Sequence, residues 1–375
     1  METIQMKKQL LAVAVASAFA STAFAANVTV YGTVDTGLVY THQSFGGALP
    51  TNGDSSKFSM DSGVLGASKF GFKGTEDLGD GYSVSFQLEN GFKSDTGALS
   101  GADDNKLFDR EARLSLNTPY GTVSFGRMGA LTSGAGTYDV FQATGDALDG
   151  GNANYIGTGY WFSRDRYDNM ITLVTPEANG FTGYAQYSFQ TKGTENANER
   201  ANTRYAALGL TYKAGALEAV VVADTVLRTS TEEKTYSDAQ AYSFGVNYDF
   251  GVTKAFFGAQ YGNHENIEFE FNTATTGTAK TYNNYFKGYN LHIGAATPLP
   301  CGTLTVSAYY GDYEAENDNT VTAKKYGFGA MHEYAISKRT TFYTGAGFSQ
   351  AELEQADSAA RVKGVNVTLG LNHKF

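Results

Sequence analysis

The sequence predicts an all-β fold, a sixteen-stranded antiparallel transmembrane β-barrel. Two observations support this fold class. Near the end of the 375-residue chain, four apolar residues alternate with polar ones: Val365, Val367, Leu369 and Leu371. A period of two indicates a strand with one apolar and one polar face, although His373 interrupts the apolar face. Segments of the same kind recur along the chain, and a tilted strand of about ten residues crosses the apolar core of a bilayer.

The N-terminus has the three parts of a secretory signal peptide. Met6-Lys7-Lys8 is a short basic region, residues 10–19 are an apolar run, and Ala23-Phe24-Ala25 is a cleavage site of the small-x-small type. We therefore expect residues 1–25 to be a signal peptide that is removed. Residues 26–375 are then expected to form a single barrel domain.

Composition favours a barrel and argues against other classes. The 25 Tyr and 25 Phe suit strands and interfacial girdles, and the presence of only 5 Pro suits uninterrupted ladders. After the signal peptide no apolar run approaches the roughly 20 residues that a membrane helix needs. A net charge of -10 argues against a nucleic-acid binder. Cys301 is the single cysteine, so no intrachain disulfide can form.

Sixteen segments of strand character follow one another from residue 28 onward. Five come first, at about residues 28–35, 68–74, 82–92, 108–117 and 122–127, and a long non-periodic stretch at roughly 128–167 follows them. Eleven more are predicted at about residues 169–176, 183–190, 204–212, 216–227, 239–250, 253–263, 285–297, 303–313, 325–335, 341–352 and 361–375. An even count places both chain ends on one side of the membrane, as single-chain outer-membrane barrels require.

The connections between these segments alternate in length. The short ones include residues 76–81, 118–121, 177–182, 214–215, 251–252, 298–302 and 336–340. The long ones include residues 42–66, 93–107, 191–203, 228–238, 264–284, 314–324 and 355–360. Short turns on the periplasmic side and long loops outside are typical of outer-membrane barrels. A soluble β-sandwich would not require this alternation.

Several segments resemble the general porins of Gram-negative outer membranes, most closely the branch related to neisserial porins. The matching segments are residues 68–79 (SKFGFKGTEDLG), 86–92 (FQLENGF), 118–127 (TPYGTVSFGR) and 370–375 (GLNHKF). The resemblance implies a water-filled channel through which ions and small hydrophilic solutes diffuse passively. It also implies a homotrimer in outer-membrane lipid, and a third outer loop that folds into the lumen. The terminal Phe375 would be the signal read by the barrel assembly machinery.

Charged side chains in the lumen are the candidate functional residues, because charge and width at the narrow part set the selectivity of such a pore. The third loop, starting near Met128, offers Asp139, Asp146 and Asp149. The wall offers Lys69, Lys73, Arg113 and Arg127, by inward position or by the resemblance, and Arg164 and Arg166 are weaker candidates. Thr172 stands where the family often has an inward arginine, which weakens the basic wall.

No other chemistry is indicated by the sequence. The five histidines are scattered singly, without metal-ligand spacing, and no Ser-His-Asp or paired-carboxylate arrangement is apparent. We therefore expect neither an enzyme nor a bound cofactor or metal. Two alternatives stay open: a substrate-selective channel for a sugar or a carboxylate on the same barrel, and a surface adhesin or barrel enzyme.

Overall fold

The computed structural model describes residues 28–47, 54–100, 106–134, 136–141, 162, 164–229, 237–271, 280–355 and 358–375. The expected signal peptide, residues 1–25, lies outside these ranges. Within them, no helix is long and apolar enough to cross a membrane.

The described residues form seventeen β-strands. They are β1 Thr29–Gly47, β2 Ser55–Ser62, β3 Lys69–Gly79, β4 Tyr82–Gly91, β5 Glu111–Thr118, β6 Gly121–Gly129, β7 Arg166–Val174, β8 Phe181–Ser188, β9 Arg204–Ala214, β10 Leu217–Leu227, β11 Ala239–Asp249, β12 Lys254–Phe271, β13 Lys280–Leu299, β14 Gly302–Ala315, β15 Val321–Ala335, β16 Thr340–Gln355 and β17 Ser358–Lys374.

These strands close into a barrel with sixteen positions. From β3 to β17 each strand pairs antiparallel with the next in the chain. β1 pairs with β17, from Thr33 opposite Lys374 to Gly47 opposite Ala360. β2 pairs with one half of β1 and β3 with the other half, so these two strands share one position. The predicted sixteen-stranded barrel and its closing strand are confirmed.

The two faces of the sheet differ as the period of two predicts. On β17 the side chains of Val367 and Leu369 are exposed on the outer surface, whereas Thr368 and Asn372 are buried on the inner wall. Outward apolar and inward polar side chains are what a lipid-embedded barrel with a wet interior requires.

Several connections are shorter than the sequence suggests. For example, β16 reaches Gln355 and β17 begins at Ser358, where a loop was predicted at residues 355–360. The predicted loop 42–66 is mostly strand, because β1 runs on to Gly47 and β2 occupies Ser55–Ser62. The predicted loop 264–284 is likewise replaced in part by β12 and β13, which reach Phe271 and begin at Lys280. β3 extends to Gly79, so the predicted turn of residues 76–81 shrinks to its last two. These predictions were wrong because the many polar and turn-forming residues of these segments favour loops. Apolar residues nevertheless continue at every second position into two of them, at Phe58 and Met60 and at Ile267, Phe269 and Phe271.

Candidate pore constriction

Lys69, the first residue of β3, belongs to a charged cluster on the inner wall. Its Nζ lies 3.1 Å from Oε2 of Glu89, and Nε of Arg110 lies 2.7 Å from the other oxygen of that carboxylate. The Tyr31 hydroxyl also donates to Glu89, at 2.9 Å. The Glu89 side chain is 4% exposed and that of Lys69 is 32% exposed. The Lys69 ammonium group is therefore accessible from the lumen, while the Glu89 carboxylate that it pairs with is buried.

Lys73 lies four residues after Lys69 on β3, on the same face of the strand. Its ammonium group is 5.1 Å from the centroid of the Tyr31 ring, within the range of a cation–π contact. Tyr31 therefore links the two lysines: its ring contacts Lys73, and its hydroxyl donates to Glu89, the partner of Lys69.

Arg113 on β5 is held by several wall residues. Its Nε donates to Glu111 at 2.8 Å, Nη1 to Ser115 at 2.6 Å and Nη2 to Gln87 at 3.2 Å. The guanidinium also lies 5.4 Å from the ring centroid of Tyr138, a residue of the connection after β6. Arg113 therefore joins the wall to that connection, with only 9% of its side chain exposed.

Arg127 is redirected by a bulge in β6. The pairing with β7 shifts between Gly126 and Met128, and Gly126 has a φ of 125°, a conformation that favours glycine. Nη1 of Arg127 lies 2.6 Å from Oδ1 of Asp168, whose other oxygen is 3.2 Å from Nζ of Lys106. Arg127 therefore belongs to a second charged cluster. This cluster adjoins that of Lys69, because Nε of Arg127 donates at 2.6 Å to the carbonyl of Asp109, the residue before Arg110.

The connection between β6 and β7, called here the third loop, begins against the inner wall. The hydroxyls of Tyr138 and Ser124 are hydrogen-bonded, and the Leu131 N–H donates to Oε1 of Gln186 at 3.0 Å. Gln186 in turn donates to Thr172 at 3.1 Å. Thr172, which stands where the family often has an arginine, thus supports the start of the loop.

One of the three candidate aspartates of this loop, Asp139, lies in the described part of the chain. Asp139 is buried, and its Oδ1 accepts from the Phe141 N–H at 2.9 Å. Asp146 and Asp149 lie outside the described residues. The inward course of the loop is thus described only at its two ends.

The end of the third loop is attached to the opposite part of the wall. Arg164 donates to Asp224 of β10 at 2.6 Å and makes two bonds to Glu265 of β12, at 2.6 and 2.7 Å. Phe162 donates its N–H to Oε1 of Gln260 at 2.5 Å. Burial alone would lower the pKa of the Arg164 guanidinium, but Asp224 and Glu265 raise it well above its ordinary value. The arginine therefore stays charged and holds the loop.

Sequence reasoning missed the acidic partners of these cations: Glu89, Glu111, Asp168, Asp224 and Glu265. Glu89 and Glu111 were detectable, since both stand at inward positions of strands that were predicted. Asp224 and Glu265 pair with a residue of the third loop, and a long non-periodic loop carries no register from which such a pair could be predicted.

Comparison with known proteins agrees with this architecture. A family model described as Gram-negative porin matches residues 12–352. An outer membrane porin protein of Bordetella pertussis is 32% identical over 99% of this chain and 100% of its own length. Major outer membrane protein P.IB of Neisseria meningitidis serogroup A is 26% identical over 99% of this chain and 100% of its own. The solved anion-selective porin from Comamonas acidovorans has a TM-score of 0.66 at 22% identity, covering 93% of this chain and 99% of that chain.

A closed antiparallel barrel with an apolar outer surface and a charged inner wall defines a channel of the outer membrane. The chain belongs to the Gram-negative porin family. It is an outer-membrane porin of a Gram-negative bacterium, and it forms a channel for passive diffusion. The family resemblance expected from the sequence is confirmed, and the relatives are channels rather than enzymes.

Proposed function

We propose that this porin has its narrow part between the start of the third loop and the wall formed by β3 to β6. Ions and small hydrophilic solutes pass there with only weak preference for the sign of charge. One observation carries this proposal: the three wall cations Lys69, Arg113 and Arg127 each lie 2.6–3.1 Å from a carboxylate. Since opposite charges at such distances partly cancel at the range of a passing ion, the field in the lumen is smaller than the number of cations suggests. Glu89 also pairs with Arg110 and Asp168 also pairs with Lys106, so only a small excess of positive charge is left.

The same arrangement supports passage of polar rather than apolar solutes. Paired cations and carboxylates set up local fields across the lumen, and these orient dipolar solutes and keep the water of the pore ordered. An apolar solute gains nothing from such a field and must displace that water. The proposed function is therefore transport alone, with neither a cofactor nor a metal taking part.

Electrical recording and solute flux test this function together. We expect purified protein in planar bilayers to give stable ohmic steps, with a small reversal potential in a KCl gradient. Uptake of sugars and amino acids into liposomes should rise linearly with concentration. Saturation at low concentration of one solute would favour the substrate-selective alternative, and absence of ohmic steps would favour an adhesin or a barrel enzyme.

A preference for anions is the second candidate, and one position favours it. Lys73 is exposed beside Tyr31 and adds positive charge next to the Lys69 cluster. The relative from Comamonas acidovorans is an anion-selective porin. In a KCl gradient, a large reversal potential with the sign expected for chloride permeation would support an anion preference rather than weak selectivity.

We further propose that the mature chain, residues 26–375, assembles as a homotrimer in outer-membrane lipid. The solved trimer form of OmpT from Vibrio cholerae supports this, at a TM-score of 0.59 and 17% identity over 93% of this chain. Mass spectrometry of the purified protein tests both points. An intact N-terminus or a stable monomer would contradict the corresponding proposal.

A further inference from the structure

The barrel wall is interrupted where β2 ends and β3 begins. Ser62 pairs with Thr36 and Lys69 pairs with Thr33, so the six residues 63–68 lie opposite only two residues of β1. The Gly63 N–H donates to the Asp35 carbonyl at 3.0 Å, where the chain leaves the ladder. The Ser68 hydroxyl accepts from the Asp35 N–H at 3.0 Å, where the chain returns. The four additional residues, 64–67, are called here the inner bulge.

Asp35 holds the inner bulge inside the barrel. Its carboxylate accepts the N–H groups of Val64 at 2.9 Å, Leu65 at 3.4 Å and Gly66 at 3.2 Å. The same carboxylate accepts from the Tyr343 hydroxyl at 2.9 Å and from Nδ2 of Asn372 at 2.8 Å, both on the inner wall. Because Asp35 points inward and three consecutive N–H groups point to it, the inner bulge lies on the lumen side of the wall.

Val64 fixes the inner bulge against the adjacent wall. This side chain is 6% exposed and packs in one apolar cluster with Tyr309 of β14, Met331 of β15 and Tyr343 of β16. Leu65 lies at the edge of the same cluster and is only partly buried. The inner bulge is therefore a packed, hydrogen-bonded element and projects into the space enclosed by the barrel.

The third loop and the inner bulge occupy different parts of the wall. The described ends of the third loop contact β6, β8, β10 and β12 through Ser124, Gln186, Asp224 and Gln260. The inner bulge contacts β1 and β14 to β16. The inner bulge therefore removes cross-section on a side of the barrel that the described ends of the third loop do not contact.

We infer that the inner bulge is a second narrowing element of the pore, and that it sets the size limit for solutes together with the third loop. Asp35 acts as a positioning residue, because it shapes the inner bulge through charge-assisted hydrogen bonds to three N–H groups. This inference rests on the proposal that solutes cross the barrel through its lumen.

Deletion of residues 64–67 tests the inference by removing the inner bulge while keeping the ladder. It leaves Gly63 and Ser68 opposite Asp35 and Val34, and removal of an even number of residues keeps every side chain on its face. We expect single-channel conductance to rise roughly 1.5-fold, since conductance follows the width of the narrow part. Larger polyethylene glycols should also enter the pore. The matched control deletes four exposed residues, 194–197, between β8 and β9, and should leave both values unchanged.

A second experiment keeps the chain at full length. Leu65→Cys is made with Cys301→Ser, since Cys301 is an exposed free cysteine, and is treated with a cationic methanethiosulfonate reagent. We expect labelling of conducting channels to lower their current. The control, Leu78→Cys, places the cysteine at the end of β3, where Leu78 is 54% exposed, and should be labelled without loss of current.

The outcomes separate this inference from the proposed function. If the unmodified protein conducts, unchanged conductance and size limit after the deletion would overturn the inference. Labelling at position 65 without loss of current, or no labelling there in conducting channels, would overturn it as well. If the unmodified protein does not conduct, the proposed function fails first.

Discussion

At the scale of single residues, the acidic partner of each cation decides what that cation does. Three pairs line the wall: Lys69 with Glu89, Arg113 with Glu111, and Arg127 with Asp168. Alternation along a strand predicts which residues face the lumen, but the register between strands decides which of them pair. Lys69 and Lys73 could therefore be predicted as wall residues, as could the inward position of Glu89 and Glu111, whereas the pairing of each cation with its carboxylate could not.

Neutralising Lys69 and Arg127 together should make the pore prefer cations. Lys69→Gln with Arg127→Gln leaves Glu89 and Asp168 without these partners, so negative charge in the lumen increases. The reversal potential in a KCl gradient should shift toward the equilibrium potential of potassium. Lys287→Gln is the matched control, because Lys287 pairs with Glu314 outside the lumen cluster, at 3.4 Å and 45% exposure. An equal shift in both variants would contradict a wall position for Lys69 and Arg127.

Arg164→Leu should loosen the third loop. The substitution leaves Asp224 and Glu265 buried without their cation, and breaking such a buried pair costs about 3–5 kcal/mol. Detachment of the loop end relieves that cost, so single-channel current should show frequent partial closures. Arg361→Leu breaks an ion pair that is half exposed, with Glu352 at 2.5 Å, and such a pair contributes only about 0–1 kcal/mol. Single-channel current without partial closures in the Arg164→Leu variant would contradict the role of Arg164 in holding the loop.

At the scale of elements, membrane-crossing strands were predictable and their irregular parts were not. β10 was predicted at residues 216–227 and is found at Leu217–Leu227, because one of its faces meets lipid throughout. The inner bulge gave no such signal, since a short run of small and apolar residues has no period. Asp35, which shapes the inner bulge, lies on another strand, so only the register of β1 with β2 and β3 reveals the contact.

Glycines of the inner wall make room for tyrosines that lie flat on it. A Cβ added to Gly370 would meet the Tyr343 ring and hydroxyl as well as the Thr36 carbonyl. Gly370→Ala should therefore lower the free energy of unfolding by about 1–3 kcal/mol through overpacking. Gly46→Ala on β1 is the control, since nothing lies within 4 Å of the added carbon. Urea titration of refolded protein measures both, and equal stability would contradict the packing described here.

At the scale of the whole molecule, the barrel depends on the meeting of its two ends. Phe375 extends the pairing of β17 with β1: its N–H donates to the Gly32 carbonyl at 3.0 Å and its carbonyl accepts from the Gly32 N–H at 3.1 Å. Closure removes the last free strand edges, which would otherwise pair with other chains. The C-terminal residue therefore takes part in the seam of the barrel.

Deletion of Phe375 should reduce the amount of barrel in the outer membrane. The seam loses its last two hydrogen bonds, and the proposed assembly signal is lost with them. Channels that do assemble should conduct normally, because Phe375 is 47% exposed at the end of the seam and pairs with none of the wall carboxylates or cations through its side chain. Phe250→Ala removes another outward aromatic residue, 60% exposed, and serves as control. Normal barrel levels after the deletion would count against this role.

The hydrogen bonds of Asp35 also place the narrowing of the pore late in folding. Asp35 bonds Tyr343 and Asn372, which lie 308 and 337 residues away along the chain. Contacts of such sequence separation form only after the intervening chain is in place. In an unfinished barrel the inner bulge would therefore have its local bonds to Asp35 but not the contacts that fix it against the last strands, and the pore would reach its fixed width only when the barrel closes.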